Sequence, residues 1–266
     1  MFEFVEEGAE SPALDLAYHL TPWDEPAVGF ATATISKIKL KGEPVAVNED
    51  FSKFRAWCAA HEVRLISCRL SHQRLRETGF LEGQGFRFIE LNYRPWARHL
   101  GRFSGDADIE VCAAGPSDEA EICSLAARTP WTGRLHADPM VGPEVGNRRY
   151  VLWASNAFRH PGQRVLKCLV RGRIAAFMVV ERPSDSSRFW SLVAVAPELT
   201  GKGLGRRIWQ SVLAMHHQEG VEEVTTSISS HNPIAHNLYV SLGFRFPSPD
   251  ITLHCCPFGQ LRLRTV

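Results

Sequence analysis

Apolar positions recur at two periods along this chain, and the switches between them mark out the elements. Residues 29–39, 63–68 and 86–92 carry short β-branched and aromatic runs that predict strands. Residues 50–61 and 72–83 show the wider spacing of amphipathic helices. The small, polar stretch over residues 101–108 reads as a linker, which divides the chain into residues 1–104 and 105–266.

After the linker, residues 109–113 predict a strand. Ser117 then stands as an N-cap, with Asp118, Glu119 and Glu121 in the first turn, where carboxylates favour the positive helix end. That helix should run to Thr129 and stop at Pro130. A segment rich in Trp, His and Asp fills residues 131–160. Residues 164–170 and 174–181 then predict a hairpin around Arg171-Gly172, and a third strand spans residues 189–195. Leu204, Ile208, Val212 and Met215 line one face of a helix that ends at Gly220, a natural C-terminal cap. Val224, Thr226 and Ile228 alternate as a half-buried strand, and Pro233 opens a helix running to Leu242-Gly243. Residues 244–246 and 251–255 are expected to close the same sheet. The order is α+β, with a meander followed by strand-helix-strand crossings.

Composition narrows the function classes. The chain has 266 residues, 44% hydrophobic and 22% charged, with a formal net charge of +1, as in ordinary globular proteins. Its basic residues are scattered, so nucleic acid is not an expected partner. No apolar run reaches the roughly 20 residues that span a bilayer, and the acidic opening is unlike a signal peptide, so a cytoplasmic protein without a membrane partner is expected. Seven cysteines with no C-x-x-C suggest reduced, mostly buried thiols rather than a disulfide framework. His216 and His217 are neighbours that leave a helix in different directions, and H-E-x-x-H is missing, so no metal site is expected.

The chemistry concentrates in V-A-V-A-P-E-L-T-G-K-G-L-G-R-R-I-W, residues 193–209. A Walker loop needs Ser or Thr after Gly-Lys at the end of a longer loop, whereas Gly203 and then Leu204 follow Lys202. A dinucleotide fingerprint needs G-x-G-x-x-G after a βαβ opening, whereas Gly201, Gly203 and Gly205 alternate after a meander. A plain glycine-rich turn is the simplest remaining reading. The strand, proline, glycine loop and helix together nevertheless aim several backbone N–H groups, and the positive helix end, at one place where an anion could sit.

This run resembles the acetyl-CoA-binding signature of the GCN5-related N-acetyltransferases (GNAT), Q/R-x-x-G-x-G/A after a V-x-P strand end. H-N-P-I-A-H-N-L-Y-V-S-L-G-F, residues 231–244, resembles the same superfamily's N-x-x-A-x-x-L-Y-x-x-x-G-F block. Thr200 stands where the signature has Gln or Arg. The resemblance implies a mixed, mostly antiparallel sheet flanked by helices and an acetyl-CoA-dependent N-acetyltransferase. Acetyl would pass directly to a primary amine in a ternary complex, without a cysteine nucleophile; Cys168 is then core. Pantetheine would pair with the strand at Val193, Ala194 and Val195, and a backbone N–H near Val193 would polarise the thioester carbonyl. Thr200, Gly201, Lys202, Gly203, Leu204, Gly205 and Arg206 would hold the pyrophosphate. Asn232 would touch the coenzyme as well as cap its helix, and Tyr239 would protonate the departing thiolate. For the base, Glu181, Ser191, His136 and Asp138 all stand as candidates.

His72 to Phe88 and the C-terminal block both end in Gly-Phe-Arg-Phe, the mark of a weak internal repeat. The first hundred residues thus resemble a smaller, degenerate GNAT-like α/β domain without the glycine loop. The L-T-P-W-D element at residues 20–24, G-R-L-H-A-D-P at 133–139 and Y-V-L-W at 150–153 resemble the layout of the TDP-fucosamine acetyltransferase group. That likeness implies a nucleotide-linked deoxyamino sugar as acceptor. Another amine (an amino acid, an antibiotic, a protein N-terminus) and a non-catalytic CoA-binding module are the alternatives, and Trp131, Tyr150 and Trp153 could simply pack the first helices.

Overall fold

A computed structural model describes residues 6–201 and 203–257. The chain forms β1 (Glu7–Glu10), β2 (Leu14–Leu20), α1 (Glu25–Val28), β3 (Thr32–Leu40), α2 (Pro44–Ala60), β4 (Leu65–Ser71), α3 (Leu75–Gly83) and β5 (Arg87–Tyr93). It continues with β6 (Trp96–Arg98), β7 (Ile109–Ala113), α4 (Glu119–Arg128), α5 (Arg134–Ala137), α6 (Pro143–Ala157), β8 (Gln163–Val170), β9 (Arg173–Ser184) and β10 (Ser187–Val195). Last come α7 (Leu204–Gln218), β11 (Glu223–Thr226), β12 (Ile228–Ser229), α8 (Pro233–Ser241) and β13 (Asp250–Cys255).

Two compact units result, and their division differs from a single cut near residue 104. The first unit takes the chain through Asn92, then Gly133–Arg149, and the chain again from Ser248; the second takes Tyr93–Thr132 and Tyr150–Pro247. Within the first unit the strands lie in the order β1-β2-β3-β4-β13-β5, antiparallel except for the parallel pair β3/β4. The expectation that residues 251–255 close the second sheet is therefore corrected. β13 lies between β4 and β5 because its alternation fits the first core: Leu253 and Cys255 are buried beside Phe51, Cys58 and Leu81. Its other face carries Thr252 and His254, both buried. Arg69 donates to Thr252 Oγ1 at 3.1 Å, and the His254 and Asp138 side chains are bonded at 2.7 Å.

Residues 133–149 are held in this unit by buried charge. Arg134 and Arg149 both donate to the Asp24 carboxylate, and Arg148 Nε donates to the Ala27 carbonyl at 2.7 Å. Burial alone would raise the Asp24 pKa, but the two guanidinium groups outweigh it and keep the carboxyl below its ordinary range. Asp24 of the sequence element at residues 20–24 thus supplies the anchor for a segment more than a hundred residues away.

The second unit's strand order is β6-β11-β10-β9-β8-β7, antiparallel except for β10/β11. β8 and β9 form the expected hairpin, with Arg171 and Gly172 both at positive φ as a two-residue turn of this kind requires. Helices cover both faces. α7 packs Leu204, Ile208 and Val212 onto one, and α4 packs Ile122, Leu125 and Ala126 onto the other. The start of α4 departs in detail from the predicted N-cap. Residues 116–118 make a short 3-10 turn, and Asp118 accepts the Gly115 N–H at 2.8 Å. The fold is thus α+β with mixed, mostly antiparallel sheets, the architecture expected from the element order.

Candidate active site

The site is built where β10 and β11 part company. Their parallel register runs from Ser187↔Glu223 to Trp190↔Thr226 and stops, while β10 continues in antiparallel register with β9 as far as Val195↔Ala176. Leu192, Val193, Ala194 and Val195 therefore have a registered strand on one side only, among the described residues. A bulge between Trp190 and Leu192 marks the same point. Trp190 packs with α7 and α8, whereas Leu192 and Ala194 pack with α4 and α6, so the extra residue Ser191 turns the strand over. It also turns Val193 and Val195 toward the core that contains α7.

Thr226 closes the apex of the split: its hydroxyl donates to the Trp190 carbonyl at 2.8 Å. Tyr239, on α8, reaches the same place. Its phenol is buried near Thr226 and Trp209, and burial pushes its pKa up to about 12. The ring is 3% exposed, edge-on to Phe244 at 4.8 Å and to Trp209 at 6.2 Å. Trp190 is fixed from behind. Its indole N–H donates to His216 Nε2 at 3.1 Å, and the other ring nitrogen of His216 meets Glu219 at 3.2 Å. That arrangement makes His216 a neutral acceptor, consistent with burial lowering its pKa to about 4.

The glycine loop leads from the free end of β10 into α7. Gly201 and Gly203 lie at φ 75° and 72°, where side chains with a Cβ are strained, and Cβ atoms built at either would have nothing within 4 Å. Gly203 is the residue before α7, whose first turn has neither a side-chain cap nor an acidic residue. Several of its N–H groups are thus left for an outside acceptor. Gly205 differs: a Cβ there would make only an ordinary 3.8 Å contact with Leu238. Leu204 is buried and anchors the helix, while Arg206 is exposed. The Thr200 hydroxyl donates back to the Pro197 carbonyl at 2.7 Å, so it shapes the loop rather than replacing a long side-chain donor. Lys202 lies outside the described residues. Asn232 caps α8, its Oδ1 accepting the Ala235 N–H at 2.9 Å.

Of the four candidate bases, Glu181 and Ser191 lie in the second unit's sheet. Glu181 accepts from Gln163 at 2.9 Å, and the Ser191 hydroxyl donates to the Val179 carbonyl at 3.3 Å. His136 and Asp138 belong to the first unit. His136 Nε2 meets Asn147 Oδ1 at 3.0 Å, and Asp138 is fully buried. Burial would raise its pKa, but bonds from His254 and the Met140 N–H hold the carboxyl low. Asp138 is thereby engaged in the network around residues 133–149. None of Trp190, Thr226 and His216 was expected at the site: Thr226 stood only as a strand position and His216 only as one of two neighbouring histidines. The available signal was Thr226 itself, a hydroxyl at an inward position of an alternating strand. The aromatic segment behaves as packing: Trp131 and Tyr150 stack at 4.3 Å and Tyr150 and Trp153 at 6.1 Å, all against the α4 side of the sheet.

Residues 134–244 match the acetyltransferase (GNAT) family. Among solved structures, the chain is similar to a GCN5-related N-acetyltransferase from Sphaerobacter thermophilus, with TM-score 0.65, 14% identity, and 98% of this chain and 86% of that one covered. A tandem GNAT protein from the clavulanic acid biosynthesis pathway gives TM-score 0.57 and 14% identity, over 96% of this chain and 86% of that one. A functionally unknown conserved protein from Staphylococcus epidermidis gives TM-score 0.68 and 11% identity, over 94% of each chain. At these identities the likeness is one of fold. No curated protein matches the chain. No helix of the described residues is long and apolar enough to cross a membrane.

Proposed function

We propose that the split between β10 and β11 takes acetyl-CoA as acetyl donor and passes acetyl to a primary amine, a reading supported by the match of residues 134–244 to the acetyltransferase (GNAT) family. The observation that carries this reading is the continuity of a strand edge at Val193, Ala194 and Val195, unpaired among the described residues, with a helix start that has no side-chain cap among them. Pantetheine pairs with the edge as a strand would, and the N–H groups of Gly201, Gly203, Leu204, Gly205 and Arg206 receive the pyrophosphate. Lys202 brings its positive charge to the same phosphates, Thr200 braces the loop through its bond to Pro197, and Asn232, the cap of α8, is the further coenzyme contact. The Val193 N–H faces the thioester carbonyl and stabilises the oxyanion formed when the amine attacks. Collapse of that intermediate expels the thiolate, and Tyr239 supplies its proton. A phenol held near pKa 12 stays fully protonated at neutral pH and so keeps the proton it must give.

Glu181 is the base we favour within the second unit, because it is a carboxylate on β9 in register with Phe189 of β10. The acceptor is a primary amine, and the layout likeness noted in the sequence makes a nucleotide-linked deoxyamino sugar the first to be tried. The test is thiol release from acetyl-CoA by the purified chain against amino sugars, their nucleotide-linked forms, amino acids and peptides. Amine-dependent thiol release supports the reading, and its absence with every amine while CoA still binds returns the chain to a non-catalytic CoA-binding module.

A further inference from the structure

The Gly-Phe-Arg-Phe repeat has a structural counterpart. Gly85 and Gly243 stand 158 residues apart, and so do Leu65 and Glu223, the first residues of β4 and β11. In the first unit the parallel pair β3/β4 runs from Thr32↔Leu65 to Ile35↔Cys68 and stops after four pairs, just as β10/β11 does. β3 then continues for five residues to Leu40, as β10 continues to Val195. By this alignment Ile38 stands for Val193, Leu40 for Val195, Arg74 for Asn232 and Leu81 for Tyr239.

In the first unit those positions are already taken. Arg74 Nη2 donates to the Ile38 carbonyl at 2.8 Å, and the Leu40 N–H reaches Glu77 Oε1 at 3.4 Å. Arg74 and Glu77 are themselves paired at 2.8 Å, so one α3 ion pair presents a donor and an acceptor to the strand edge. Arg76 adds a bond from Nη2 to the Gly42 carbonyl at 3.1 Å. The cradle has gone as well. Only residues 41–43 separate β3 from α2, against residues 196–203 between β10 and α7. α2 opens on Glu43 and Pro44, an acidic side chain and a residue with no N–H to give. A Cβ at Gly42 would meet Ala13 at 2.8 Å, where Gly201 and Gly203 face open space. Leu81, fully buried, offers no proton where Tyr239 does.

We propose that the first unit is a second copy of the acyltransferase half whose coenzyme cleft is filled by its own α3, Arg74 and Glu77 taking the strand-edge groups that a pantetheine would otherwise meet. The chain then holds one acyl-CoA. This rests on the reading of the second unit given above only for the number one; the filling of the first cleft stands on its own bonds.

Titration calorimetry of the full chain with CoA should give one equivalent per chain, and Gly203→Ala, which perturbs the second unit's loop, should weaken that single site at least tenfold and reveal no other. Two equivalents in the wild type, or a second site that keeps its affinity in Gly203→Ala, overturns the proposal. A second measurement is independent of CoA. In Glu77→Ala, hydrogen exchange at the Leu40 amide should accelerate at least tenfold, while the amide of Phe51 in the buried α2 core keeps its wild-type rate. Glu77→Gln, which preserves volume and an acceptor oxygen, should retain most of the protection. An unchanged Leu40 rate in Glu77→Ala overturns the plug. Zero equivalents of CoA in the wild type refutes the function proposed for the second unit, while Leu40 exchange still decides the first.

Discussion

Gly203 offers a perturbation that separates folding from coenzyme binding, because the same helix carries a matched control. Gly203 precedes α7 at φ 72°, and Gly220 follows it at φ 79°; a Cβ at either would meet nothing within 4 Å. Alanine therefore costs each site only the left-handed strain, about 1–2 kcal/mol. At roughly 2–4 °C per kcal/mol for a domain of this size, both variants should melt lower by about 2–8 °C, and by similar amounts. Their response to CoA should differ. At CoA about 100-fold above its Kd, the wild type gains about 2.7 kcal/mol. Gly220 lies at the far end of the helix, so Gly220→Ala should keep that gain. In Gly203→Ala the strained residue turns loop N–H groups away and places a methyl in the space where the pyrophosphate would lie. A tenfold weaker Kd would already remove about 1.4 kcal/mol of it. The assay is thermal unfolding of the three proteins with and without CoA. Equal CoA-induced shifts in Gly203→Ala and Gly220→Ala would refute the assignment of this loop to the coenzyme.

Three further outcomes are expected. Tyr239→Phe should lower turnover at least a hundredfold while CoA still binds, as equilibrium titration and initial rates will show; wild-type turnover removes Tyr239 from the acid role. His216 and His254 are both buried with pKa lowered to about 4, first by desolvation. The unfolded chain therefore takes up their protons near pH 6.5 while the folded chain does not. Their stabilisation is complete above pH 6.5 and lost as pH falls toward 4, about 3 kcal/mol for each, measured by urea unfolding across that window. A flat profile between pH 6.5 and 4 contradicts it. Asp24→Asn should destabilise the first unit by about 3–5 kcal/mol, because Arg134 and Arg149 keep their charges in a buried place without the anion they face. Chemical denaturation monitored at Trp23, beside the substitution, will show whether that loss occurs.

The parts of the site that were legible are those written in local chemistry. Gly201 and Gly203 announce positive φ, Pro197 ends a strand, and Asn232-Pro233 starts a helix, each through the backbone preference of one or two residues. The apex was not legible. Trp190 and Thr226 matter because a parallel ladder stops between them, and a ladder's length is set by two strands far apart in sequence. The bulge at Ser191 hides for a related reason: an alternating run looks the same whether or not one residue is left unpaired, and only the packing of Trp190 and Leu192 on opposite faces exposes it.

The misplaced closing strand shows the same limit from another side. Residues 250–255 alternate well enough to join either sheet, since a strand's pattern specifies a face and not a partner. Two features of the first unit decide the matter. Leu253 and Cys255 complete its apolar core, and His254 meets Asp138 in a pair whose members are both fully buried. A neutral imidazole donating to a carboxylate on one side and accepting from Arg134 on the other has all its bonding capacity met in that sheet. Moved to a sheet lacking Asp138 and Arg134, the same ring would be buried with its partners missing, at a cost of about 1–3 kcal/mol for each unsatisfied group. The polar residues of β13, rather than its apolar ones, therefore carry the information about where the strand belongs.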